Sequence, residues 1–87
     1  MAVLDAKDLV ATEQFRAAVR VWFQESGMTQ LRASMELGIT QGLFNRLLSG
    51  KYAPSMAQAE KISNALGCEL VDMLVKGQKE LRRKKDG

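Results

Sequence analysis

Four glycines divide this chain. Gly27, Gly38, Gly50 and Gly67 each follow a segment whose apolar residues recur every three or four positions. The position just past a helix end often needs a left-handed backbone, which glycine adopts without steric cost. The spacing therefore predicts an all-α chain of short helices, since strands would show strict alternation instead. Phe15, Ala18, Val19, Trp22 and Phe23 fall at i, i+3, i+4, i+7 and i+8, so Glu13 to Ser26 reads as an amphipathic helix. Thr29 is placed to cap a helix from Gln30 to Leu37, and Thr40 to cap another from Gln41 to Ser49 with Phe44, Leu47 and Leu48 inward. Pro54 and Ser55 open a fourth helix, with Ser55 and Gln58 in capping-box spacing and Met56, Ala59, Ile62, Ala65 and Leu66 as its buried stripe. A fifth begins near Glu69, uses Leu70, Val71 and Leu74, and runs on through Gly77, with Asp72 and Lys76, and Glu80 and Lys84, spaced for i, i+4 ion pairs. Residues 5–10 read as an extra helical turn that carries Leu9 and Val10 onto the body. Hairpin signals and internal repeats are missing.

Eighty-seven residues, 46% apolar and 26% charged, suit one soluble core. The longest uncharged stretch, Leu37 to Asn45, is far short of the roughly 20 residues of a membrane span. Around Asp5 there is no apolar run of the kind a secretory signal needs, so a cytoplasmic, nucleoid-associated protein without a membrane partner is expected. Cys68 is the only cysteine and histidine is absent, which removes the usual zinc sets and the commonest general base. No Gly-rich phosphate loop or nucleophile–base pair is present, and Asp5 with Asp8 look like a helix start. The expectation is a non-enzyme without metal or cofactor, with Cys68 a small buried hydrophobe.

The net charge of +3 is unevenly spread. Residues 1–75 carry seven Lys or Arg against eight Asp or Glu, while 76–87 carry six against two. The body is nearly neutral and the basic excess lies in Lys76, Lys79, Arg82, Arg83, Lys84 and Lys85. Such a run adds non-specific attraction to a polyanion, and equally keeps a helix end soluble.

Between Gly27 and Gly50 two short helices are joined by three residues, Gly38-Ile39-Thr40, with small Ser34 where the second helix would cross and Ile39 able to plug the angle. That is the physical description of a helix-turn-helix. Together with Gly50-Lys51, Pro54-Ser55 and Ile62 to Gly67, this segment resembles the lambda-repressor and Cro-like helix-turn-helix proteins, the XRE family, over roughly residues 13–75. The resemblance implies a compact five-helix DNA-binding domain with its motif at 29–49, flanked by an N-terminal arm or short helix at 1–12 and a basic helical extension at 76–87.

The family resemblance also assigns roles. Gln30 matches a position that clamps a DNA phosphate, where a helix N-terminus favours an anion in any case. Thr40, Gln41 and Gly42 match the exposed start of the recognition helix, and a glutamine at position 41 suits the paired donor and acceptor of adenine. Arg46 has the fork geometry to read guanine or clamp a phosphate, with Glu36 as an alternative intramolecular partner. Asn45, Ser49, Lys51 and Tyr52 match backbone contacts. Three departures stand out. Gly42 has no side chain where relatives read a base. Leu48 replaces an acidic residue that pairs with an arginine of the first helix, which frees Arg16 or Arg20. Ala33 replaces a larger aliphatic, leaving space for Trp22 or Met35.

The leading expectation is a sequence-specific DNA-binding transcriptional regulator, a repressor that binds a palindromic operator as a homodimer. Its dimer surface is expected on the fifth helix, where Leu70, Leu74, Gly77 and Leu81 follow 4-3-4 spacing beside Val75. Leu43, Met73 and Val75 look exposed, which would favour association. The alternatives are an antitoxin that also binds a protein partner and autoregulates its promoter, and a helical adaptor without a DNA role.

Overall fold

The computed structural model describes residues 6–86, with side chains from 11 to 83. Five helices follow one another, α1 (Ala6–Ser26), α2 (Gln30–Leu37), α3 (Gln41–Ser49), α4 (Met56–Ala65) and α5 (Leu70–Asp86), with no strand among the described residues. The compact all-α arrangement is the one the sequence predicts. Helix α1 differs in length: it starts at Ala6, so the extra turn is continuous with it, while the side chains of Leu9 and Val10 lie outside the described residues.

Local rules set the helix ends. Thr29, Thr40 and Ser55 are N-caps with extended backbones, and their hydroxyls accept from the amides of Arg32, Leu43 and Gln58 at 3.1–3.2 Å. Each bond satisfies one of the donors that a helix start leaves over. The box expected at Ser55 is half formed, because Gln58 turns its side chain to accept from the Tyr52 hydroxyl at 2.6 Å. At Gly38, φ is 70°; its amide donates to Met35 O and the Ile39 amide reaches back to Ser34 O at 3.0 Å. This closes α2 and starts the turn that aims α3.

The core is built around α1. Phe15, Ala18 and Val19 are buried, and Trp22 and Phe23 pack against the same cluster. Phe44 and Leu47 of α3, Ala33 and Leu37 of α2, Ala59 and Ile62 of α4, and Met73 of α5 complete it. Phe23 meets Phe44 edge to face, with ring centroids 5.2 Å apart, a favoured aromatic geometry. Met35 is 67% exposed, so of the two residues expected to compensate for Ala33 only Trp22 packs on the core. In α4, Met56 and Ala65 point outward, and Ser63 is buried with its hydroxyl donating to Ala59 O.

Helix α5 shows the largest shift from expectation. Val71, expected inward, is exposed, whereas Met73, expected exposed, is buried; Leu43 is half-buried. The cause is α1, whose packing along α5 is the most extensive of any helix pair. At Gly77 the two backbones come so close that an added Cβ would stand 1.6 Å from the Gln14 carbonyl oxygen. That contact fixes the rotation of α5 and turns Leu70, Met73 and Leu74 toward the body. It also redirects charge: Lys76 reaches Glu25 of α1 at 4.0 Å instead of Asp72, which accepts from the Glu69 amide. The Lys84 side chain lies outside the described residues. Cys68 is half-buried, its thiol directed at Ser63 O, and burial pushes its pKa above the ordinary thiol value.

In an exposed helix Gly→Ala is stabilising by about 1 kcal/mol. Gly77→Ala is expected to reverse that sign and destabilise by about 1–3 kcal/mol, the usual scale of overpacking, read as a lower urea midpoint with an unchanged m-value.

Candidate nucleic-acid interface

The inward side of α3 defines its outward side. Phe44 and Leu47 are fully buried and Leu48 is partly so, which leaves Gln41, Gly42, Asn45, Arg46 and Ser49 exposed along the opposite face. Thr40 caps this helix from an exposed position, and its hydroxyl is occupied as an acceptor by the Leu43 amide. The Gln41 and Gly42 amides, one turn too early to find carbonyls behind them, are left for an outside acceptor. Gln30 opens α2 in the same manner, half-buried beside the Thr29 cap.

Arg46 points into solvent and has no ion-pair partner among the described residues. Glu36, its alternative partner, pairs instead with Arg32 at 3.3 Å on the same helix. Ser49 is exposed, its hydroxyl turned back onto Arg46 O. Lys51 is exposed in the loop, whose path is set by the amides of Lys51 and Tyr52, both donating to Arg46 O. Tyr52 is placed differently from the others. Its ring packs against the core and its hydroxyl proton goes to Gln58, so it holds the loop rather than offering a free donor.

Two features beyond the sequence reading strengthen the electrostatics. No Asp or Glu occurs between Glu36 and Glu60, while Arg46 and Lys51 lie within that stretch. The first turns of α2, α3 and α4 are likewise free of acidic residues, so no side-chain carboxylate competes for their positive ends. The other end of α3 is neutralised from α1: Arg20 donates to Leu48 O at 2.8 Å and Arg16 to the same oxygen at 3.3 Å. Arg16 also pairs with Glu13, and its Nε is buried without a partner. The expected loss of an acidic side chain at position 48 is thus met by its main-chain carbonyl. Sequence alone could not point to that acceptor, since every residue has one.

Residues 19–73 match the family model described as helix-turn-helix. This chain belongs to the helix-turn-helix family. It is of the lambda-repressor and Cro-like kind, a family of DNA-binding transcriptional regulators. A protein of Methanothermobacter thermautotrophicus named an uncharacterized HTH-type transcriptional regulator is 33% identical over 57 residues, which cover 66% of this chain and 83% of that protein. No solved structure matches the chain. The match begins within α1 and stops at Met73, so the Gln14 and Gly77 contact lies outside the part this chain shares with the helix-turn-helix model. No helix among the described residues is long and apolar enough to cross a membrane, and none of their acidic or cysteine side chains form a metal-binding group.

Arg20→Met keeps an apolar stem and removes the guanidinium from the C-terminus of α3. A loss of about 1.5–3 kcal/mol is expected, the range for a hydrogen bond involving a charged group, measured by urea unfolding.

Proposed function

We propose that this helix-turn-helix protein is a sequence-specific transcriptional repressor that lays α3 in the DNA major groove and binds a palindromic operator as a homodimer. One observation carries the reading: the outward face of α3 is polar, cationic and free of carboxylates, while Phe44 and Leu47 on the inward face are fully buried. In this arrangement Gln41 offers its amide to an adenine, and Arg46 offers its fork to guanine O6 and N7. Gln30, Thr40, Asn45, Ser49 and Lys51 hold the phosphates on either side, and Tyr52 shapes the loop through Gln58. The basic end of α5 adds affinity without sequence preference. Repression follows from occupancy, since a body seated over a promoter excludes polymerase from it.

A helix of nine residues is about 13 Å long and spans roughly four base pairs, too few for useful specificity alone. Two copies on half-sites about 34 Å apart supply the rest. The rotation of α5 narrows the surface for such a dimer. Gly77 is used within the chain and Leu81 is half-buried, whereas Val71 and Val75 are 57% and 45% exposed beside half-buried Leu70 and Leu74. Val71 and Leu74 also line an open groove of about 440 Å³ with Glu60 and Asn64, which a second copy would fill.

Selection from a random DNA pool at physiological salt tests the function, with a palindromic consensus as the expected result. On the recovered site Arg46→Ala is expected to lose about 1–3 kcal/mol and relax one base pair per half-site. Arg46→Lys should not restore that preference, because an ammonium lacks the planar two-point contact. Val71→Asp with Val75→Asp is expected to lower the dimer fraction in sedimentation while leaving the helical content unchanged. An unaltered dimer would place the interface elsewhere.

A further inference from the structure

Six glycines are described, and the fold accounts for five. Gly27, Gly38, Gly50 and Gly67 have positive φ, and Gly77 lies against the Gln14 carbonyl. Gly42 has neither reason. Its φ is not positive, and a Cβ built on it would meet nothing within 4 Å. It is exposed in the first turn of a capped helix, where its main chain has more freedom to lose than that of alanine. Nothing within the fold therefore calls for a glycine here, and the space beside it opens outward. Gly42 shares its face with Arg46 and Ser49 at i, i+4 and i+7, so an object touching it also faces the Arg46 guanidinium.

We propose that Gly42 sets the depth at which α3 sits in the major groove, its bare main chain resting on the edges of the bases so that Arg46 can reach guanine. The inference rests on the DNA-binding reading above. An added methyl extends about 1.5 Å from Cα. Hydrogen bonds from a guanidinium tolerate only about 0.5 Å around their preferred length. A methyl trapped between helix and bases would lift Arg46 out of two-point contact. Gly42 is then a positioning residue that acts on base reading through Arg46.

The test uses the best site that the wild-type protein selects from the random pool. Gly42→Ala is expected to leave Tm unchanged or raise it by up to about 4 °C, because the chain loses less entropy on folding and nothing clashes. Affinity should fall roughly tenfold and preference should relax at the base pair that Arg46→Ala also relaxes. In the double variant the second substitution should cost less than about twofold further, since the contact is already gone. Gly42→Ser repeats the measurement with a different small side chain, so a folding defect in one variant is not mistaken for a lost contact. Binding by Gly42→Ala within twofold of wild type overturns the proposal, and so does full additivity with Arg46→Ala. If the wild type enriches no sequence, the DNA reading itself falls, and that outcome is distinct because Arg46→Ala then has nothing to change.

Discussion

Helix α3 is attached to the body by two fully buried side chains, Phe44 and Leu47, and by a carbonyl at its far end. Phe44 and the carbonyl both meet α1. Phe23 meets Phe44 across an aromatic edge, and Arg16 and Arg20 grip Leu48 O. Leu48 packs partly against the same core, and this buried side decides which residues look outward. A helix held by apolar contacts only could roll about its own axis. The arginine bonds fall at one end and oppose that roll.

The same arginines shape the field around α3. A helix carries partial positive charge at its N-terminus and negative charge at its C-terminus. Here the negative end is covered by two guanidiniums, while the positive end, with no acidic residue in its first turn, is left open to solvent. A body that is close to neutral overall thus presents a local surface of one sign. The net charge, by contrast, is concentrated in the C-terminal stretch of the sequence, away from that surface.

Much of this was legible in the residues because the relevant rules are local. Thr29, Thr40 and Ser55 cap as their positions predict, and the glycines end helices where the apolar periods stop. The outward residues of α3 follow from Phe44 and Leu47 in the same way. Helix α5 was ambiguous for a physical reason: Leu70, Val71, Met73, Leu74 and Val75 are apolar almost all round, so periodicity alone cannot choose the buried face. The choice comes from α1, through a backbone approach at Gly77 that lies far away in sequence. The bond from Tyr52 to Gln58 was hidden for a related reason, as the hydroxyl finds its acceptor only once the loop has closed.

The pairing of residue 14 with residue 77 also orders events in time. On a ribosome the turn between α2 and α3 emerges well before α5, so the two helices it joins can acquire their local hydrogen bonds early. Yet α1 has no partner along the flank that α5 covers until Gly77 has been made, and contacts that distant in sequence close slowly. A nascent copy therefore holds the turn and its two helices in outline while its core is still open on one side, and the completion of α5 closes that side.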